Sequence, residues 1–422
     1  MVIRKIEWTI IVAGVFCLLF SFKIPFLINS TVLVGFISTP YFIFKSIHSK
    51  SNVRYKDVYV IISIYFALIL YVSLIALLHE TYDFTPINAY FSILAAFYSV
   101  FLFSSYVKST AIYSETFDKF YFFSKVIFYV FLIQSFFIIG SILNSDFHQI
   151  VQIFQSVDDF ERAQKYMGAR GLALSGGQFF PLTSIYCLAQ IFMAYYFIEK
   201  KNLTVIDIVC MVMIMATGLT AGRTAIVGSL VFILIIFGMS PTKKKPYSAL
   251  MKSIPITILA LYFISQSSYG DRINNYIFDV YLPFAFEFVY SYFDGRGGAI
   301  ESTEVLSRMY WMPSFYDTLY GYGKYISEDG STFMSTDGGY MRNLLFGGAI
   351  FVVLAVLGTM ILYLYLLRRI EPSRHSKIII LSSFTISLIL HYKGNVLLNL
   401  VGVQTLIFTA IAFTYPIYSE SK

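Results

Sequence analysis

Charge is scarce in this chain. Asp, Glu, Lys and Arg make up 13% of its residues, against about 25% in soluble domains, so an ordinary soluble globular protein is excluded. Cysteine is scarcer. Cys17, Cys187 and Cys210 are odd in number and each lies in an apolar run, so no disulfide framework is implied and no redox compartment is indicated. The five histidines, His48, His79, His148, His375 and His391, are scattered. None has a metal-ligand spacing such as His-Glu-x-x-His, and no metal or cofactor is expected. There is no internal repeat and no low-complexity tract.

What is abundant is apolar. Hydrophobic residues reach 57%, aromatics 19%, and the mean hydropathy is +0.70. Runs of about 20 apolar residues match the length that crosses a bilayer as helix. Lipid offers backbone groups no water, so spans must be helices or a closed barrel. These runs are continuous rather than alternating, which predicts an all-α polytopic membrane protein, one integral domain over 1–422.

Twelve spans are predicted: Trp8–Phe22, Ile24–Phe44, Val58–Leu78, Ile87–Val107, Tyr121–Leu143, Pro181–Ile198, Val205–Thr217, Thr224–Met239, Ile254–Gln266, Met341–Leu367, Ile378–His391 and Val396–Tyr418. The first could be a signal peptide, but it lacks a small-residue cleavage site and another span comes at once. Lys/Arg clusters fall at 45–56, 108–125, 200–201, 243–252 and 368–377. The positive-inside rule makes that side cytoplasmic, with both termini. The net charge of +7 is thus a topology signal and not a nucleic-acid signal.

The opposite side receives 79–86, 144–180, 218–223, 268–337 and 392–395. The 268–337 loop has ten Asp/Glu against four Lys/Arg, and loops of this kind carry function. Within it Ile273, Ile277, Tyr281, Phe284 and Phe288 form a stripe interrupted at Pro283, suited to lying in the headgroup layer. Ser302-Thr303-Glu304 resembles a helix start, and Gly321-Tyr322-Gly323 a turn.

Four groups of residues could carry chemistry. Arg223 sits between two spans with almost no loop. It either snorkels to the interface or holds a guanidinium fork for an anionic headgroup such as a lipid pyrophosphate. Arg162, Lys165 and Arg170 are basic residues on the outer side. They either pair with Asp158, Asp159 or Glu161 or join that site. Arg308 and Trp311 suit a sugar–phosphate site, or Trp311 anchors the interface. Asp337 opens the tenth span as an N-cap, as an outward-facing catalytic carboxylate, or as both.

Thr217-Gly218-Leu219-Thr220-Ala221-Gly222-Arg223-Thr224-Ala225 resembles the small-residue–Arg turn of the bacterial O-antigen polymerase (Wzy) and O-antigen ligase superfamily. Arg170-Gly171-Leu172 resembles its earlier outer-loop motif. Arg308-x-x-Trp311, Gly321-Tyr322-Gly323 and Ser335-Thr336-Asp337-Gly338-Gly339-Tyr340-Met341-Arg342-Asn343-Leu344-Leu345 with Gly347-Gly348 resemble its closing signature. The likeness covers roughly 160–350 and keeps the family's order, although the spaced Arg-x-Gly repeats of some polymerases are missing.

The resemblance implies a metal-independent inverting glycosyltransferase in the bacterial inner membrane, its active site facing the periplasm. Donor and acceptor would be glycans on undecaprenyl pyrophosphate, polymerised into O-antigen or a related surface polysaccharide, with a chain-length regulator as a possible partner. The ligase branch, which hands glycan to lipid A core, carries a histidine where Asp337 stands, and polymerase is favoured. Asp337 would be the base. Arg223, supported by Arg170 and Arg308 and flanked by Arg162, Trp311 and Tyr340, would bind pyrophosphate and glycan. The rival readings are the ligase, a lipid-linked oligosaccharide flippase or transporter, and an envelope scaffold.

Overall fold

The computed structural model describes residues 2–25, 29–48, 56–156, 170–239, 274–293, 301–370 and 373–414. The expected ninth span, Ile254–Gln266, lies outside them, as do Arg162 and Lys165. The helices are α1 Val2–Phe20, α2 Ser30–His48, α3 Lys56–Leu78, α4 Thr85–Val107, α5 Ala111–Glu115, α6 Lys119–Leu143, α7 Ser145–Ile153, α8 Phe179–Glu199, α9 Val205–Ala221 and α10 Ala225–Met239. A π-helical turn, Tyr276–Tyr281, runs into α11 Leu282–Ala285 and α12 Glu287–Phe293. Next come α13 Glu301–Arg308, α14 Phe315–Tyr320, α15 Gly339–Arg369, α16 Arg374–Lys393 and α17 Val401–Thr414. Among the described residues no strand forms beyond two isolated bridges, Lys23 with Asn29 and Ile326 with Thr332.

Six of these helices, from α2, α3, α4, α6, α8 and α15, are long and apolar enough to cross a membrane. Shorter apolar helices include α9, α10 and α17. Among the described residues the regular structure is therefore helical, with the helices of a membrane-embedded chain. Several ends differ from the sequence reading. The second helix starts at Ser30, directly after Asn29, which is bridged to Lys23. Residues Val396–Leu400 precede α17 instead of opening it.

The bundle is organised around α8. Every residue from Leu182 to Phe197 is buried, the pattern of a helix covered on all sides. It packs against α6, α9, α10, α16 and α17. Its aromatic side chains interlock with those neighbours: Tyr186 meets Phe131 edge-on at 4.8 Å, and Phe197 meets Phe232 at 5.4 Å. Such pairs add about 0.5–1.5 kcal/mol each beyond burial. The ends of α8 and of its partners are thereby fixed in position.

α15 is not one straight helix. Gly347 and Gly348 leave helical geometry, with Gly348 at φ +69, a conformation that glycine tolerates. The break leaves three carbonyls to partners outside the helix. The N–H of Tyr322 donates to Leu345 O at 2.6 Å and that of Gly323 to Phe346 O at 2.9 Å, while the Tyr71 hydroxyl donates to Gly347 O at 2.7 Å. A Cβ on Gly348 would stand 2.0 Å from Leu319 O. The predicted Gly321–Gly323 turn is thus the piece that fills the kink, with Gly321 and Gly323 both at positive φ.

Candidate functional site

A helix ends with carbonyls that lack intrahelical partners, and cations there also meet the negative end of the helix dipole. At the end of α9 this role falls to Arg170, whose Nε and Nη2 donate to Ala221 O at 3.1 and 2.6 Å. The next residue is Gly222. A Cβ there would lie 3.0 Å from Arg170 Nη2 and 2.6 Å from Thr183 Oγ1, so a side chain would crowd the guanidinium. Arg170 also lies over two rings, Phe179 at 4.8 Å and Phe284 at 5.3 Å.

Arg223 comes directly after Gly222 and stands over the same Phe284 ring, at 5.3 Å. Phe284 thus has a guanidinium from each of two separate loops against it, an arrangement stabilised by the ring quadrupole. Arg223 also forms an ion pair with Glu287, and its side chain is only 24% exposed. Arg223 is therefore held within a built cluster and does not merely snorkel outward.

A third cation completes the group. Lys393, the last residue of α16, donates from Nζ to Thr224 Oγ1 at 2.8 Å. Burial, with added repulsion from Arg223 and Arg170, pushes its ammonium down to about 8. Like charges held this close raise the local positive potential. The arrangement suits an oxyanion with several acceptors, since guanidinium forks match phosphate oxygens and an ammonium adds a point charge.

Two members of the long-loop stripe, Tyr281 and Phe284, lie against this end of the bundle. Tyr281 donates its hydroxyl proton to Ala216 O at 2.9 Å, and Phe284 and Glu287 meet the arginines. Tyr281 and Phe284 contact protein here, because α9 presents a carbonyl and Arg170 and Arg223 present cations to them.

Asp337 does not cap α15. The helix starts at Gly339 and its N-cap is Gly338, with no side-chain cap bond. The Asp337 side chain is exposed, and its backbone N–H points at Met309 Sδ, 3.4 Å away. The two glycines after it fix its place. A Cβ on Gly339 would lie 2.4 Å from His391 O and 2.6 Å from Gly394 O, so glycine alone lets the start of α15 dock on the end of α16. Tyr310 lies against Gly338, stacks on Tyr392 at 4.5 Å and donates to Tyr392 O at 2.5 Å.

The Asp337 corner and the Arg223 corner therefore share one short segment. Tyr392 meets Tyr310, Lys393 meets Thr224, and Gly394 O meets Gly339. His391 is spent on structure. Its Nδ1 accepts the N–H groups of Val396 and Leu397 at 3.1 and 3.3 Å, and Asn343 Nδ2 lies 3.2 Å from its Nε2.

The other expected site residues divide. Tyr340 donates to Leu388 O at 3.0 Å and packs edge-on against His391, so its hydroxyl holds α15 to α16 and is not offered to a ligand. Arg308 and Trp311 are exposed. They flank the Met309–Tyr310 pair that touches Asp337 and Gly338, and no hydrogen bond, ion pair or ring contact ties their side chains to the other described residues. Lys393, Phe284 and Glu287 were missed from sequence. Lys393 had a readable signal, as the lone basic residue in the short 392–395 link between two apolar runs.

No protein-family model, curated protein or solved structure matches this chain.

Proposed function

We propose that this protein is an inverting glycosyltransferase that polymerises repeat units carried on undecaprenyl pyrophosphate. One observation supports it above others: Arg170 and Arg223, from two links between helices, and Lys393, from the end of α16, meet around Phe284 and Thr224. Three convergent cations at the end of an apolar bundle fit a diphosphate whose lipid tail lies beside the helices. The motif resemblance supplies the reaction class.

In this reading the acceptor hydroxyl attacks the anomeric carbon of the donor glycan, the new C–O bond forms, and the bond to the pyrophosphate oxygen breaks. Asp337 takes the hydroxyl proton from the face opposite the leaving group, as carboxylates do in inverting chemistry on sugars. The cations stabilise the charge gathering on the diphosphate, and removing one preplaced donor of this kind costs about 10²–10³ in rate. Diphosphate leaves without a separate acid. Asp337 in place of histidine favours polymerase over ligase.

The test is complementation in a polymerase-deficient host. Arg223→Ala and Asp337→Asn, at normal expression, should leave single repeat units on the lipid and no ladder. Full-length ladders from Asp337→Asn would remove Asp337 as the base. Normal polymerisation with loss of attachment to core would make the protein a ligase.

A further inference from the structure

A second polar group lies apart from the cation cluster and includes neither its three cations nor Asp337. Tyr325 is buried, at 7% exposure. Its backbone N–H and that of Ile326 donate to Asp83 Oδ2 at 2.6 and 2.9 Å. Its hydroxyl is met by Asn395 Nδ2 at 2.7 Å and Asn399 Nδ2 at 2.9 Å. The guanidinium of Arg342 lies over its ring, 4.1 Å from the centroid. Arg342, Asn395 and Asn399 are each only partly buried, while Tyr325 beneath them and Val396–Leu398 between the asparagines are buried. The three residues therefore lie between the buried core and the surface.

Two atoms of this group are buried with no hydrogen-bond partner: Arg342 Nε and Asn395 Oδ1. Buried polar atoms nearly always have partners, and a half-satisfied polar network is worse for stability than an apolar one. The nearby carboxylate does not supply the missing bond, since Asp83 spends its oxygens on the N–H groups of Thr85, Tyr325 and Ile326. One orphan is a donor and the other an acceptor. If the Asn395 amide is turned over, the Tyr325 hydroxyl donates to its oxygen and both orphans are donors. A saccharide hydroxyl gives and accepts through one atom and satisfies either arrangement. A bare oxyanion satisfies only the second.

We infer that Arg342, Asn395 and Asn399, standing over Tyr325, form a saccharide-binding site separate from the Arg170–Arg223–Lys393 group. The two sites are connected through the chain: Lys393 serves one, and Asn395, two residues on, serves the other. Resting on the polymerase reading, this is where the acceptor glycan is held while the diphosphate lies on the cations. The binding itself does not require that reading.

The experiment uses the full chain purified in detergent on an array of bacterial oligosaccharides, with inorganic pyrophosphate binding followed in parallel by thermal shift. Saturable binding to at least one oligosaccharide is expected. Arg342→Lys, which loses the planar fork, and Asn395→Ala should each weaken it at least tenfold while the pyrophosphate shift is kept. The second variant serves if the first does not fold. Absence of any saccharide binding, wild-type binding by both variants, or displacement of the saccharide by inorganic phosphate would each overturn the site. Failure of the wild-type chain to restore ladders in the polymerase-deficient host, with saccharide binding intact, would count against the polymerase and leave this site standing.

Discussion

Arg223 carries its guanidinium over the ring of Phe284 and pairs with Glu287 on the next short helix of the same segment. The long loop thus places a carboxylate on the arginine at the centre of the cation cluster. Any anionic ligand reaching Arg223 competes with Glu287. Glu287→Gln keeps the shape and removes the charge, and should tighten inorganic pyrophosphate binding by about three- to tenfold, in keeping with a part-exposed ion pair of roughly 1 kcal/mol. Thermal shift against pyrophosphate concentration measures it. Weaker binding in the variant would mean that Glu287 organises Arg223 and does not block it.

Arg170 is a positioning residue as well as a cation. Its fork holds Ala221 O, and hydrogen bonds from charged groups contribute about 1.5–3 kcal/mol. Arg170→Lys should lower the unfolding temperature and weaken pyrophosphate binding together. Arg223→Lys keeps the charge without the fork and should weaken binding with little change in unfolding temperature. The contrast between the two variants is the measurement.

Lys393 gives the site a pH limb. Its ammonium is held down to about 8 by burial and by Arg223 and Arg170, so it is mostly charged at pH 7 and loses its proton as pH rises through 8. An oxyanion binds the charged form, so pyrophosphate affinity should fall above pH 8, and binding near that pH should take up a fraction of a proton. For stability the sign is opposite. The folded state disfavours the charged lysine, a cost present below pH 8 and relieved as pH rises toward the unfolded value near 10.4. Lys393→Arg should remove the limb from a binding profile between pH 7 and 9.

The glycine before Tyr340 is a packing requirement. Gly339→Ala puts a methyl group against His391 O and Gly394 O and should cost about 1–3 kcal/mol, the usual range for overpacking. A lower unfolding temperature would register it. Since Asp337 and Lys393 flank that contact, pyrophosphate binding and ladder formation should weaken too.

Much of the fold could be read in advance because the bilayer requirement is written in composition. Long apolar stretches identified the α3, α4, α6 and α15 regions with ends close to those observed. The kink in α15 was not legible. Gly347-Gly348 signals a break only once it is known that Tyr322 and Gly323 fill it. In the candidate cluster, Arg223 stood out as an arginine between two apolar runs, and Arg170 as a basic residue in a link on the side opposite the Lys/Arg clusters. Phe284 and Glu287 were not, since an aromatic or acidic residue in a polar loop has many ordinary uses, and their convergence on Arg223 depends on where α9 ends. Asp337 looked like a cap because it stands near a helix start, and Gly338 takes that place.

The link from Tyr392 to Asn399 touches the Tyr310 ring, the Arg223 turn, the docking glycine and the Tyr325 hydroxyl within one short length of chain. Such economy makes it the worst place in the protein to graft an epitope tag or a fluorescent label. It also makes it a good place to look for spontaneous loss-of-function changes, because a single insertion there would unfasten both corners of the molecule at once.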